Sequence, residues 1–361
     1  MTPDPKSPQR WIRPEVLALS AYHVPDPGDL VKLDAMENPY RWPDELVEQW
    51  LDTLRSVELN RYPDPSARTL TDKLAQAMQV PDGMQLVLGN GSDELIQMLA
   101  LAVAQPGRVM LAPDPTFVMY RMIADVAGMT YQGVPLAADF SLDVSAMQAA
   151  IDKHQPAIVF MSYPNNPTGT IFDATAVEAV IRHAPGLVVI DEAYAPFTDA
   201  SFMPRLGEFS NLLVLRTVSK MGLAGLRLGL LAGAPEWLRE IDKTRLPYNI
   251  NVLTQASALF ALQNKTMLDE QARQIRADRS QLARALDTFD GIEVYPSEAN
   301  FILFKILQGK ADDIFNTLKK QGVLIKNLNP VGGRLQNCLR VTVGRPDENE
   351  AFLAALQKAL G

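Results

Sequence analysis

Two stretches decide the fold: residues 187–194, which read LVVIDEAY, and residues 212–229, which read LLVLRTVSKMGLAGLRLG. Each opens with at least four apolar residues and then becomes polar. A short apolar run bounded by polar or turn-forming residues predicts a strand buried inside a sheet. In both stretches the polar residues therefore follow the carboxyl end of a strand, which is the edge where open α/β sheets bind ligands.

The surrounding sequence repeats this alternation of apolar strands and amphipathic helices. Further strands are predicted at 85–88, 108–111, 130–134, 157–161 and 228–232. Helices are predicted at 43–57, 66–78, 92–104, 117–127, 145–153, 174–182 and, as one long helix without glycine or proline, 251–289. This order predicts an α/β fold whose central sheet is mostly parallel and covered by helices on both faces.

The C-terminal part of the chain has a different pattern. From residue 291 onward, strands are predicted at 292–295, 301–304, 323–325 and 339–343, and helices at 311–320 and 348–360. This is an α+β unit with its own core. We therefore predict a large domain at 51–285, a small domain at 286–361, and an N-terminal arm at 1–50 that forms part of the small domain.

Composition narrows the possible functions. The net charge is −8, and lysine and arginine are dispersed among acids, which argues against nucleic acid or a membrane surface as a partner. The longest apolar runs are shorter than the ~20 residues of a membrane span. The single cysteine, Cys338, fits a reducing cytoplasm. The histidines His23, His154 and His183 lack ligand spacing, so we expect no metal site.

Lys220 is the first candidate for chemistry. It follows the strand 212–216 and precedes a glycine-rich loop that ends with Arg227. A lysine at such a strand end can form a Schiff base with a carbonyl, and an arginine can offer a fork of donors to a phosphate. In isolation, a lysine after a strand is more commonly a solvated surface residue. Gly222 and Gly225, which allow close approach of the backbone to a ligand, favour the functional interpretation.

Asp191 and Tyr194 are the second pair. An acid that ends four apolar residues needs a cationic partner, and a pyridinium N–H is one such partner. Tyr194 could donate to a phenolate oxygen of the same ligand. The structural alternatives are a helix cap or an internal ion pair for Asp191, and a packed aromatic ring for Tyr194.

Two further loops could complete such a site. Asn166 lies in the rigid turn YPNNPTG at 163–169 and could hold the same phenolate oxygen. Ser92, Asp93 and Glu94 open a helix whose free N–H groups favour a phosphate, although acids there are also ordinary caps. Hydroxyl donors from the lysine loop are Thr217 and Ser219. Lysine, acid, phenol and phosphate cradle together predict pyridoxal 5'-phosphate as the cofactor.

The motifs, in this order, resemble the aspartate aminotransferase superfamily of type I fold pyridoxal phosphate enzymes, and within it the histidinol-phosphate aminotransferases. The segments that carry the resemblance are ENPY at 37–40, RYPDP at 61–65, GNGSDE at 89–94, YPNNPTG at 163–169, DEAY at 191–194, SKMGLAGLRLG at 219–229, LPYN at 246–249 and CLRVTVG at 338–344. They span nearly the whole chain.

The resemblance implies a ping-pong transamination through a Lys220 Schiff base, with histidinol phosphate and 2-oxoglutarate giving imidazole-acetol phosphate and glutamate, in histidine biosynthesis. It implies a homodimer in which Tyr62 reaches the partner's cofactor phosphate. Phe117 would stack on the cofactor ring. Substrate contacts would come from Tyr22, Asn38, Arg340 and Lys326.

Several residues depart from the family pattern. Met36 stands where many relatives carry asparagine, and Phe117 stands where a tyrosine is common. Lys326 stands where some members have a second arginine for the substrate phosphate; lysine keeps the charge but loses the bidentate geometry.

Three alternatives remain at the level of sequence. An aminotransferase for aromatic or other amino acids would share these motifs, and so would a decarboxylase of a phosphorylated amino acid. A sensor domain of a transcription regulator would share the fold, but such regulators carry a DNA-binding domain ahead of it. In this chain only about forty residues precede the first predicted helix, which argues against this alternative.

Overall fold

The computed structural model describes residues 7–21 and 25–361. Its strands are β1 (Val31–Lys32), β2 (Gln85–Gly89), β3 (Val109–Asp114), β4 (Thr130–Pro135), β5 (Ile158–Ser162), β6 (Leu187–Asp191), β7 (Leu212–Thr217), β8 (Gly229–Gly233), β9 (Ile292–Val294), β10 (Phe301–Ile306), β11 (Val323–Leu324), β12 (Lys326–Asn327) and β13 (Cys338–Thr342).

The helices that separate these strands are mostly amphipathic. They are α1 (Pro8–Trp11), α2 (Pro14–Leu17), α3 (Asp44–Leu54), α4 (Arg68–Ala77), α5 (Ser92–Val103), α6 (Met119–Ala127), α7 (Val144–His154), α8 (Ala174–His183), α9 (Pro235–Asp242), α10 (Val252–Gln263), α11 (Lys265–Leu286), α12 (Ala311–Lys320) and α13 (Pro346–Leu360). Among the described residues, no helix is both long enough and apolar enough to cross a membrane.

Within the described residues, seven strands form the central sheet in the order β2-β8-β7-β6-β5-β3-β4. Strands β4, β3, β5, β6 and β7 run parallel, whereas β8 pairs antiparallel with both β7 and β2. The residues of β5 and β6 are all buried, because helices cover both faces of the sheet. The predicted α/β class is confirmed, and the predicted strands of this sheet lie within three residues of the observed ones.

The C-terminal part builds a second sheet in the order β12-β13-β10-β9, with antiparallel pairing throughout. Helices α11, α12 and α13 enclose its apolar core. Strand β1 joins this part of the molecule, since Val31 pairs in parallel with Val323. The domain boundaries at 50 and 285 stay a prediction; α11, which ends at Leu286, spans the second of them.

One prediction about secondary structure was wrong. The segment 251–289 is not one helix, because Asn264 interrupts it. This residue lies between α10 and α11 and has φ −107° and ψ 27°. The Asn264 side chain bonds the Phe260 carbonyl at 3.0 Å, a local hydrogen bond that competes with helix continuation. The strand predicted at 323–325 is observed as β11 (Val323–Leu324), and a further short strand, β12 (Lys326–Asn327), follows it in a different sheet.

Candidate active site

The polar residues that end the parallel strands meet at one edge of the central sheet. Ser162 of β5 lies in register with Asp191 of β6, and Thr217 ends the neighbouring strand β7. Together with the N-terminus of α5 they enclose a cavity of about 110 Å³. Its lining residues are Met36, Ser92, Asp93, Phe117, Ser162, Asn166, Asp191, Ala193, Tyr194, Thr217, Ser219, Lys220 and Arg227.

Lys220 lies in a 3₁₀ turn (Ser219–Met221) directly after β7. Gly222 follows with φ +112°, and a Cβ there would come within 2.8 Å of the Asn38 amide nitrogen, so this position requires glycine. The lysine ammonium donates to the carbonyl of Ala35 at 3.3 Å. Burial, and then the positive charge of Arg340, lower the pKa of Lys220 to about 8. A neutral, nucleophilic amine is therefore accessible near physiological pH.

Asp191 is buried at the end of β6. Its Oδ2 accepts a hydrogen bond from the phenol of Tyr120 at 2.7 Å, and its Oδ1 accepts one from the Ala193 amide at 3.1 Å. Burial raises the pKa of Asp191 to about 6, while the two hydrogen bonds oppose this rise. Sequence reasoning missed Tyr120. Tyr120 lies in the first turn of α6, and an aromatic on the apolar face of a helix normally indicates core packing.

A short chain of hydrogen bonds links both sheets across the cavity. The Asn166 amide donates to the Tyr194 hydroxyl at 2.9 Å, and Arg340 Nη1 donates to Asn166 Oδ1 at 2.6 Å. Arg340 also donates to the Asp34 carbonyl at 3.2 Å. The guanidinium is buried, bonds Asn166 of the cavity lining and acts on Lys220 through its charge, which suits recognition of an anionic group near the lysine.

The other end of the cavity is an anion cradle. Helix α5 begins after Gly91, which has φ +82° and no side chain to cap the helix N–H groups. A Cβ on Gly91 would lie 2.7 Å from Arg227 Nη2, and one on Gly229 would lie 2.8 Å from the Ser92 nitrogen. Glycine at both positions thus lets Arg227 and strand β8 approach the helix N-terminus. Arg227 also contacts Asp93 at 3.5 Å.

Hydroxyl groups surround this cradle. Thr217 Oγ1 lies 2.9 Å from Ser219 Oγ and 3.0 Å from the Leu228 carbonyl oxygen. Thr217 and Ser219 line the cavity together with Ser92. The donors at this end suit a phosphate, and Lys220 and Asp191 suit a carbonyl and a ring nitrogen at the other end. The residues present therefore fit pyridoxal phosphate, with Phe117 also in the lining.

Some predicted site residues lie elsewhere. The Glu94 carboxylate accepts hydrogen bonds from the Asn90 amide at 2.7 Å and from the Asn249 side chain at 2.9 Å, an arrangement that indicates a structural role. Asn38 donates to Gln271 at 2.9 Å and to the Met221 carbonyl at 3.3 Å, which ties the N-terminal arm to the lysine loop.

Three predicted site residues, Tyr62, Lys326 and Tyr22, are not in the cavity lining that the structure describes. Tyr62 is 81% exposed and stacks on Tyr248 with ring centroids 4.5 Å apart. Lys326 of β12 pairs directly with Arg340 of β13, so the two side chains project from the same face of the sheet. Tyr22 lies outside the described residues.

Comparison with known proteins gives a consistent picture. The family model for aminotransferase class I and II matches residues 28–356. The chain is 59% identical to histidinol-phosphate aminotransferase 2 of Nitrosococcus oceani, covering 96% of this chain and 97% of the relative. It is 55% identical to histidinol-phosphate aminotransferase 2 of Cupriavidus pinatubonensis, covering 99% and 98%.

A solved structure supports the fold. The histidinol-phosphate aminotransferase from Clostridium acetobutylicum superposes with a TM-score of 0.84, covering 92% of this chain and 99% of that one, at 23% identity. The site geometry, the family model and the full-length relatives agree, and the chain belongs to the class I and II aminotransferase family.

Proposed function

We propose that this chain is a pyridoxal phosphate-dependent aminotransferase that converts histidinol phosphate and 2-oxoglutarate to imidazole-acetol phosphate and glutamate, a step of histidine biosynthesis. The observation that carries the proposal is that Lys220 and Asp191 line one cavity and that Arg340 bonds Asn166 of the same lining. The names of relatives that are 55% and 59% identical over nearly the full chain support the substrate.

Pyridoxal phosphate, when bound, supplies a carbonyl carbon that links to amines and an electron-withdrawing ring that makes the neighbouring C–H bond acidic. Asp191 would keep the ring nitrogen protonated, because a buried carboxylate is stabilised by an adjacent N–H cation. Asn166 and Tyr194 would donate to the ring oxygen. The phosphate would bind at the cradle formed by Arg227 and the N-terminus of α5.

Lys220 would move the proton. Its ammonium group lies 3.3 Å from the Ala35 carbonyl and 5.8 Å from the centre of the Tyr194 ring, and its lowered pKa allows it to accept and release a proton near neutral pH. Nζ would take the proton from the α carbon of the amino donor and deliver it to the former carbonyl carbon of the cofactor, which is the transfer that leaves the amino group behind.

Arg340 would bind the anionic end of each substrate. One half-reaction presents a carboxylate and the other a phosphate, and a planar guanidinium can bind both with paired hydrogen bonds. The side chain is 5% exposed, so it is held in place before substrate arrives. Its contact with Asn166, which lines the cavity with Lys220, would hold the anion near the reacting amine.

The proposal includes a cytoplasmic homodimer. Tyr62 and Tyr248 form a stacked pair that is largely exposed in the single chain, and Tyr62 would reach the cofactor phosphate of the second subunit. The lone cysteine, Cys338, is buried with its pKa raised to about 11 by burial, which is compatible with a reducing compartment.

A single-turnover experiment tests the proposed function. Protein loaded with pyridoxal phosphate is mixed separately with L-histidinol phosphate, L-glutamate and L-phenylalanine while the visible absorbance of the cofactor is followed. Rapid loss of that absorbance with histidinol phosphate and with glutamate is expected, and Lys220→Ala should prevent it. A response to phenylalanine but not to histidinol phosphate would contradict the substrate; release of carbon dioxide without an amino acceptor would contradict transamination.

A further inference from the structure

Met36 has a backbone conformation that is unusual for its residue type. Its φ is +54°, in the left-handed region where a residue with a side chain clashes with its own backbone. Asn, Asp and Gly adopt this region more readily than Met. Such strained conformations occur preferentially at functional sites. Arg227, with φ +47°, is a second residue of this kind, and both line the active-site cavity.

Hydrogen bonds hold Met36 in this conformation from two sides. Its amide donates to the Thr342 hydroxyl at 3.0 Å, and its carbonyl accepts from the Asn300 amide at 3.0 Å. Both partners belong to the C-terminal part of the molecule and are buried. The turn at Met36 is therefore imposed by tertiary contacts.

The turn has a direct consequence for the catalytic cations. The carbonyl of Asp34 accepts from Arg340 Nη2 at 3.2 Å, and the next carbonyl, that of Ala35, accepts from Lys220 Nζ at 3.3 Å. Two consecutive backbone carbonyls thus accept hydrogen bonds from the substrate-binding arginine and the reactive lysine. Met36 follows immediately, and its half-buried side chain lines the cavity together with Lys220 and with Asn166, the residue that Arg340 contacts.

Any substrate of the proposed function must span these two groups, with its amino-bearing carbon at Lys220 and its anionic end at Arg340. From this placement we infer that Met36 is a specificity-determining residue, whose thioether side chain packs against the part of the substrate between the amino-bearing carbon and the anion. The inference rests on the proposed function. The left-handed backbone is what brings the side chain to that position.

Three variants separate the side chain from the backbone. Met36→Leu keeps the apolar volume, Met36→Ala removes it, and Met36→Asn removes the apolar contact but tolerates the left-handed conformation. We expect the ratio of KM for histidinol phosphate to KM for glutamate to rise about tenfold in the Ala and Asn variants and to change less than threefold in the Leu variant. Histidinol phosphate has a methylene group between its amino-bearing carbon and its phosphate, whereas the α-carboxylate of glutamate is attached directly to that carbon, so loss of the apolar contact affects histidinol phosphate more.

Thermal unfolding of the cofactor-free protein gives a second measurement that does not depend on activity. Met36→Asn should unfold about 2 °C above Met36→Ala, because asparagine accepts the conformation at lower cost. Gln155→Gly is the matched control: Gln155 is exposed, has φ +43° and ends helix α7 far along the chain. It should alter the unfolding temperature and leave both KM values unchanged.

Two results would overturn the inference. One is a Met36→Ala variant whose two KM values both stay within twofold of the wild type. The other is equal unfolding temperatures for the Asn and Ala variants, which would remove the backbone argument. A wild-type protein that does not react with histidinol phosphate would contradict the proposed function instead. The ratio of KM for glutamate to KM for phenylalanine in the Met36 variants would then test the role of Met36 separately.

Discussion

Tyr120 donates a hydrogen bond of 2.7 Å to Asp191, and both side chains are almost completely buried. The Tyr120 ring stacks on Phe160 with centroids 4.7 Å apart, which fixes the direction of the phenol. Without such a donor, burial alone would favour the neutral carboxylic acid. The phenol therefore keeps Asp191 available as the anion that a protonated ring nitrogen requires.

Replacing Tyr120 by Phe should weaken cofactor binding. A hydrogen bond to a charged group contributes about 1.5–3 kcal/mol, so the Kd for pyridoxal phosphate should rise on the order of tenfold or more. Titration of the cofactor-free protein by fluorescence measures this. Tyr131→Phe is the control, since it removes a phenol from β4 at a residue that is not among those lining the cavity. A Tyr120→Phe protein with an unchanged Kd would show that Asp191 acts without this donor.

Asp191 should make the cofactor-free protein less stable as pH rises. Its pKa is about 6 in the folded chain against an ordinary value of 3.8, so the folded state holds the proton more tightly. The stabilisation is complete below pH 4 and is lost as pH rises through 6. Asp191→Asn should therefore raise the free energy of unfolding by about 2–3 kcal/mol at pH 8, and change it little at pH 4.

Denaturant unfolding of both proteins at the two pH values checks this prediction, and cofactor titration accompanies it. The Asn variant should be the more stable protein and the weaker binder. Equal differences in stability at pH 4 and pH 8 would mean that Asp191 does not titrate in this range.

The sequence was sufficient for the residues that end the parallel strands. Asp191, Thr217 and Lys220 follow apolar runs, so their local pattern already placed them at the ligand-binding edge. Tyr120 was missed because its helix face is apolar and its partner is distant in sequence. The Asp34 and Ala35 carbonyls were missed for another reason: backbone atoms carry no residue-type signal, and their direction depends on the turn at Met36.

Lys220 should load the cofactor with a pH dependence set by its lowered pKa. Only the neutral amine attacks a carbonyl, so the loading rate should rise about tenfold per pH unit below 8 and level off above it. Because the charge of Arg340 contributes to this lowering, Arg340→Met should move the inflection to higher pH. Stopped-flow absorbance from pH 6 to 10 measures both. An inflection near 10.5 in the wild type would contradict the prediction.

Lys326 should favour a phosphate over a carboxylate. It lies opposite Arg340 on the adjacent strand and on the same face of the sheet. A second cation at this position contributes more binding free energy to a dianion than to a monoanion. Lys326→Gln should raise KM for histidinol phosphate roughly threefold to tenfold and leave KM for glutamate nearly unchanged. Steady-state kinetics test this, with Lys310→Gln at the exposed start of α12 as the control. Equal increases for both substrates would argue against phosphate recognition.

Mixed dimers can test whether Tyr62 acts across a subunit interface. Lys220→Ala subunits should be inactive, and Tyr62→Ala subunits should bind the cofactor weakly because they lose a phosphate contact. In a mixed dimer, the subunit that keeps Lys220 receives Tyr62 from its partner, so one complete site is restored. Co-refolding the two variants at equal concentration should give about half of the dimers in this form, with wild-type cofactor affinity at that site. If Tyr62 contacted the cofactor of its own subunit, no mixture would recover that affinity, and a protein that stays monomeric by light scattering would exclude the exchange altogether.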